Sequence, residues 1–572
     1  MKRHLAWIAT SLILISCFAS VPRAGAVEAE ASALSARQQV LHVLNRLGFG
    51  PRPGDVDRVL AIGLNRYIEQ QLHPERISDP IADGRLATIE TLGMSTQQLF
   101  DRFQRPVIEA RRARKKNAAD EAKSGTPDDE EKAAARRRAS IPPGQRPRRV
   151  IEELNQARVL RAVYSERQLN EVMVDFWMNH FNVFANKNLD RVLVTSYERD
   201  VIRPNIWGRF SDLLMATAKS PAMLIYLDNA RSVADEDHRK TALAKSSPFG
   251  RRGQRWPEGR SLQNDAQMRR RGQGAGQKSL GLNENYAREL MELHTLGVEG
   301  GYAQKDVTEM ARLLTGWSIR PPQQGQIGFI FREQMHDAGT KTVLGQRFPA
   351  GGGIEEGERM IRVLARHPST AHHIAFQLCQ RLIADEPSAA LVDRVAKRFL
   401  ATDGDLRETV RAVIESPEFF SPALYRAKVK SPFEYVVSAI RAVNGDTDGR
   451  AVAMQIGKMG EPLYLCQPPT GYSDTAATWV NSGALVARLN FALALADSKV
   501  PGTRLVAQRV EGDPITFFAR QLIGGDLSRE SRKVIDQRLR DDPSQQPSAL
   551  TEQGRSAVIA GLILGSPEFQ RQ

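Results

Sequence analysis

Apolar residues recur at intervals of three and four through most of this chain, and the pattern is cleanest between Leu282 and Ile319. There Tyr286, Leu290, Leu293 and Leu296 mark one helical stripe, and Gly297 follows as a stop. Val307, Met310, Ala311 and Leu314 mark a second stripe. Asn283 is placed to cap the first helix, with Glu284 at the positive end of its dipole, and Gly300-Gly301 permit the reversal. The run predicts two antiparallel helices on a tight turn, ending at Thr315-Gly316-Trp317.

The same spacing predicts helices on either side of the turn Asn45–Pro51, the second running from about Asp55 to Gln71. No strand precedes its glycines and no Lys-Ser/Thr pair follows them, so this turn is not a phosphate loop. Further helices are expected across 150–184, 197–229 and 355–399, and at 405–414 and 554–564, where each leads into Ser-Pro-Glu-Phe. The β signal is confined to Ile327–Arg332 and Thr340–Leu344, which flank Met335–Gly339 and predict a β-hairpin within 327–345. An irregular Pro-rich loop from Gly460 to Tyr472 reads either as a cleft wall or as a rigid crossover.

The expected fold is mainly α: a large multi-helical domain with a small β-hairpin lobe and two disordered basic insertions. Its order is a signal peptide at 1–26, an N-terminal helical segment at 27–103 and a charged insertion at 104–150. The first part of the helical core follows at 151–229, then a basic low-complexity insertion at 230–281. The second part occupies 282–425 and contains the hairpin, and a C-terminal helical region fills 426–572. At 572 residues the chain can bury one large core.

Charge changes this picture only locally. The net charge is +14, with 80 Lys and Arg against 66 Asp and Glu. Residues 103–151 carry 14 basic and 7 acidic side chains, and residues 230–281 carry 12 and 5, so the two insertions hold the whole excess. Met1-Lys2-Arg3-His4 and the apolar stretch Leu5–Val21 read as an export signal, with Ala24-Gly25-Ala26 as its cleavage site. The competing reading is a lipoprotein signal in which Cys17 is lipidated. Either way the protein is expected outside the cytoplasm, periplasmic or secreted. The insertions would then meet anionic envelope polymers or lipids, and a second exported protein is another possible partner; nucleic acid is not expected. Cys379 and Cys466 remain after cleavage, as a disulfide or as two buried thiols.

Candidate chemistry gathers on the central helix pair. Glu289 and Glu292 share a face, with Asn285 one turn before Glu289 and Arg288 beside it. Acids and histidines facing inward in a helical bundle build metal or acid–base sites. Glu289, Glu292 and His180 are the candidate catalytic residues, and Glu289, Glu292 and His294 the candidate ligands of a divalent metal. The arrangement departs from Glu-x-x-His, because the residue three after Glu289 is a second Glu. Asn285, Arg288, Trp317, His336 and Asp337 are the candidate substrate-binding residues. His180, among Phe176, Trp177 and Phe181, reads equally as a hydrogen-bonded core histidine. Glu284, Arg288 and Glu292, with Glu309 and Arg312, read equally as a structural ion network between the helices.

Several segments resemble the bacterial domain-of-unknown-function family number 1800. They are LNRLGFGP at 44–51, DFWMNHFNVF at 175–184, SPAMLIYLDNA at 220–230 and NENYARELMELHTLGVEGGYAQKDVTEMARLLTGW at 283–317. HDAGTKTVLG at 336–345 and the two SPEF segments complete the match. Where this family carries Trp after the glycine of the Pro-rich loop, this chain has Tyr472. The resemblance implies an uncharacterised exported protein and supplies no reaction. Two functions are therefore expected in competition. One is a metal- or carboxylate-dependent hydrolase of an envelope or environmental polymer. The other is a non-catalytic envelope scaffold or binding protein.

Overall fold

A computed structural model describes residues 33–121, 146–235, 281–505, 510–525, 527–541 and 552–572. The expected signal peptide and most of both expected insertions lie outside these residues. The first insertion begins within them, as the helix Arg105–Glu121.

Helices dominate, and their apolar stripes meet in one contiguous core that runs from Val40 to Phe569. The 168–180 helix is buried on nearly every side. Leu169, Met173 and Trp177 are fully enclosed, each burial worth about 1.5–3 kcal/mol. The helix expected from Asp55 to Gln71 is two helices, Asp55–Ile62 and Leu64–Leu72. Gly63 at φ +89° breaks it, a conformation that glycine adopts without steric cost. No helix among the described residues is long and apolar enough to cross a membrane.

The central pair forms as its pattern predicts. The first helix, Glu284–Met291, carries Asn283 as its cap, the side chain accepting the Asn285 N–H at 3.0 Å. It continues into a π-helical turn, Glu292–Leu296, and stops at Gly297 with φ +81°. A side chain there would lie 3.1 Å from His373 Nδ1. The second helix is Gln304–Leu313.

The strands lie close to their expected places but pair differently. β1 (Trp317–Ile319) pairs with β2 (Phe329–Phe331), and β3 (Lys341–Val343) with β4 (Gln346–Phe348), both antiparallel. The single hairpin expected within 327–345 is thus two small ones. β3 turns back onto β4 through Leu344-Gly345, and β2 pairs with the earlier strand β1. A third pair, β5 (Asp446–Thr447) with β6 (Thr503–Arg504), ties the C-terminal region together.

Candidate functional site

The exit of the 168–180 helix is where the chain builds its most polar surroundings. Asn179 locks the Pro-rich loop in place. Its amide donates to the Tyr472 carbonyl at 2.8 Å and its oxygen accepts the Tyr472 N–H at 2.7 Å. Gly471 lies so close beneath Asn179 that a Cβ would sit 2.5 Å from its backbone oxygen. Three residues on, the Asn182 amide donates to the carbonyls of Cys466 and Pro468 at 3.0 and 2.8 Å. The loop is therefore a fixed wall, held by two asparagines and by the Tyr226 hydroxyl, which donates to the Gln467 carbonyl at 2.7 Å.

Tyr226 joins this wall to the central helix pair. Burial raises its phenol, and the nearby Cys466, Glu289 and Asp190 add to the effect. Asp190 is fully buried, and neither of its carboxyl oxygens has a hydrogen-bond partner. Burial pushes it well above the usual carboxylate range. Lys187 donates to the Tyr226 carbonyl and to Asp228 Oδ2, and Asp228 takes a left-handed turn at φ +61°.

Glu289 and Glu292 are half-buried, and Glu289 lies near enough to Tyr226 to raise its phenol. Tyr302 donates its hydroxyl to Glu292 Oε2 at 3.2 Å. Neither acid has an ion-pair partner among the described residues. Burial raises the Glu289 pKa first, and the charge of Glu292 second, against a smaller opposing effect from Arg288. Several other buried acids are paired. Glu171 and Glu198 meet Arg203 at 2.8 Å each, and Asp337 meets Arg312 at 2.8 Å.

The ion network expected between the two helices is only partly built. Arg312 binds Glu309 at 2.8 Å and extends to Asp337, but Arg288 turns to Gln304 Oε1 at 2.7 Å. Glu284 takes Gln304 and Thr308 instead of an arginine. Glu289 and Glu292 are left out of the network.

The remaining expected residues separate from the acid pair. His180 is buried, its Nδ1 lying 2.7 Å from the Gln377 side-chain amide and its Nε2 3.3 Å from the His294 carbonyl. Burial, then His294 and His373, push it well below the usual histidine range, so its ring is neutral. With both nitrogens engaged, it occupies the core position that its aromatic neighbours allowed. His294 is buried against Phe181 and His180, on the other side of the turn from the open acids. Burial and His373 push it down to about 3, and its Nε2 has no partner. It does not join Glu289 and Glu292 as a ligand set. No cluster of three or more His, Cys, Asp or Glu suited to a metal ion occurs among the described residues.

Of the expected substrate-binding residues, Asn285 is exposed at the start of its helix and Arg288 is half-buried. Trp317, His336 and Asp337 instead lie in the interior of the β lobe. Trp317 packs on Phe329, and His336 bonds the Thr315 carbonyl at 2.8 Å and Glu356 at 3.2 Å. Lys341 is buried beside them and pairs within the protein, at 2.6 Å from Glu356. Their contacts belong to the lobe, so their polarity is structural. Sequence reasoning missed Tyr226, Tyr302 and Asn182. The last lies within the DFWMNHFNVF run and three residues beyond Asn179, a spacing that could have flagged it.

The family model described as Protein of unknown function (DUF1800) matches residues 42–571, nearly the whole chain, and the chain belongs to this family. No curated protein and no solved structure matches it.

Proposed function

We propose that this protein is an exported, carboxylate-dependent hydrolase, with Glu289 and Glu292 as its acid–base pair. The observation that carries the reading is that these two half-buried acids stand together with no ion-pair partner among the described residues, and that burial and the charge of Glu292 raise Glu289. An acid raised by burial beside a second carboxylate is how enzymes keep a proton donor and an acceptor together near neutral pH. In the reaction, the protonated member gives its proton to the leaving-group oxygen. The ionised member takes one from water, whose hydroxyl completes the other fragment. The pair ends with its proton exchanged. Tyr302 holds Glu292.

The N-terminal signal supports a periplasmic or secreted location, with lipidation at Cys17 as the alternative, and therefore an envelope or environmental polymer as substrate. The basic insertions suit attraction to anionic polymers or lipids. The non-catalytic scaffold reading draws on one observation, the Glu309–Arg312–Asp337 chain, which ties the second helix to the lobe.

The test is product release from a panel of envelope and environmental polymers by the mature protein and by Glu289→Gln and Glu292→Gln. Hydrolysis that falls at least 100-fold in both variants, with unchanged thermal unfolding, is the expected result. Hydrolysis equal to wild type in either variant would sink the assignment of that acid.

A further inference from the structure

The Pro-rich loop, the 168–180 helix and residues 473–479 enclose a small chamber of about 40 Å³. At the space one water needs, that is room for about three heavy atoms. Arg158, Asp175, Arg381, Glu461, Tyr464 and Trp479 are among its walls.

The two arginines differ in what they have left to give. Arg381 is committed: it meets Asp474 and Asp175 at 2.9 Å and Glu434 at 3.0 Å. Arg158 donates from Nη2 to Asp175, and the rest of its guanidinium has no hydrogen-bond partner among the described residues. The rings of Phe433 and Tyr464 stand 5.1 and 5.0 Å from its central carbon. Its spare N–H donors lie in the guanidinium plane, where only a group arriving edge-on can take them.

Glu461 is the complementary feature. It is 7 % exposed and has no cationic ion-pair partner, and one oxygen accepts the Phe433 N–H at 2.8 Å. Burial and the neighbouring Asp175 push its carboxyl up to about 8, so at neutral pH it carries a proton and donates. The chamber thus offers donors on two sides: a guanidinium edge and a carboxylic acid.

We propose that this chamber receives a carboxylate group, bound in-plane by the free edge of Arg158 and by the acid of Glu461. A carboxylate has three heavy atoms and the planar fork that guanidinium matches. Phosphate and sulfate have five and are too large for the space. An ammonium group would meet donors where it needs acceptors. The surrounding charges balance, four cationic against four anionic, so an anion would be held by the hydrogen bonds that Arg158 has left to make. Arg158 and Arg381 are offset by Asp175, Asp474 and Glu434, while Lys428 and Arg46 also act on Glu434 and Asp385 pairs with Lys428. Only the carboxylate itself fits, so the remainder of a longer ligand lies outside.

The experiment is calorimetric titration and thermal shift of the mature protein with formate and acetate, beside methylammonium and phosphate at matched ionic strength. Saturable binding of the two carboxylates, with neither control binding, is the expected result. Arg158→Lys keeps the charge and loses the fork, and should weaken acetate at least 10-fold. Glu461→Gln keeps a donor and should bind within about threefold of wild type, which holds the test open if Arg158→Lys does not fold. A uronic-acid oligomer and a peptide C-terminus are the longer probes. Binding either at least 10-fold tighter than acetate identifies a polymer-borne carboxylate as the source, and equal affinity identifies a small free acid. Absence of saturable carboxylate binding, equal binding of phosphate, or undiminished acetate affinity in folded Arg158→Lys would overturn the proposal. Binding is read without turnover, so the result is independent of the role of Glu289.

Discussion

The surroundings of Arg381 and the open face of the central helix pair use the same acidic residues to opposite ends. Around Arg381, three carboxylates from distant parts of the chain converge on one guanidinium, and all four side chains are largely buried. On the helix pair, Glu289 and Glu292 stand on neighbouring turns with a tyrosine, and the nearby Arg288 turns to Gln304 instead of pairing with either. An arginine fixes the charge of its acids and spends them on architecture; its absence leaves a carboxyl free to trade protons. The largest expected effect follows from breaking the first arrangement. Arg381→Met should destabilise the protein by about 3–5 kcal/mol, because Asp175, Glu434 and Asp474 lose a shared partner inside the core. Denaturant unfolding measures it, and a loss below about 1 kcal/mol would show that these acids are already satisfied by other groups.

Glu461 lies between the two extremes, buried like the network but unpaired like the hairpin acids. Its carboxyl rises from 4.5 to about 8 on folding, with burial the larger cause. Below the lower value the group is protonated in both states and costs nothing. As pH rises from 4.5 to about 8 the unfolded chain releases the proton and the folded one keeps it, so stability falls across that window. Glu461→Gln should remove this slope and stabilise the protein at pH 8 by about 2 kcal/mol, the full linkage being reduced by local relaxation. Unfolding midpoints at pH 5 and pH 8 decide it. A slope that survives the substitution would mean another buried acid is its source.

The two regions also differ in how far the amino-acid order revealed them. The helix pair was legible because its information is local: an asparagine cap, a 3.6-residue stripe and a glycine stop all lie within one short run. The face shared by Glu289 and Glu292 follows from the same period. The arginine network was not legible, because Asp175, Arg381, Glu434 and Asp474 are scattered over 300 positions and meet only through tertiary packing. His294 went astray for a subtler reason. It is buried with His180 and Phe181 by a π-helical turn, and α-helical spacing does not describe that turn. His336 and Asp337 looked functional because they fall in a predicted loop, yet their partners Glu356 and Arg312 come from other elements.

A smaller effect sharpens the contrast from the open side. Tyr302 supplies the only side-chain hydrogen bond to the acid pair among the described residues, at 3.2 Å to Glu292. Tyr302→Phe should cost about 0.5–1 kcal/mol, the low end for a hydrogen bond that water can replace. If Glu292 is a catalytic acid or base, hydrolysis should fall by about 10-fold in the same variant, because an untethered carboxylate spends less time in the reacting geometry. A stability loss without any change in rate would leave Tyr302 a structural neighbour.

The smallest stability effect is expected where the functional effect is greatest. Glu289 has no ion-pair partner to lose, so Glu289→Gln removes only its repulsion with Glu292 and its own desolvation cost. Both are favourable changes, since burial and Glu292 raise its pKa in the folded state. A raised acid gives up stability as pH climbs through its folded value, so the neutral amide should leave unfolding at pH 7 unchanged within about 0.5 kcal/mol, or slightly improved. The same substitution should lower hydrolysis by 100-fold or more, at the lower end of the range for a general acid or base. Stability and activity would then move independently at Glu289, whereas Arg381→Met would lose both together through unfolding. Measured destabilisation of several kcal/mol in Glu289→Gln would reverse the assignment, placing this glutamate with the structural acids.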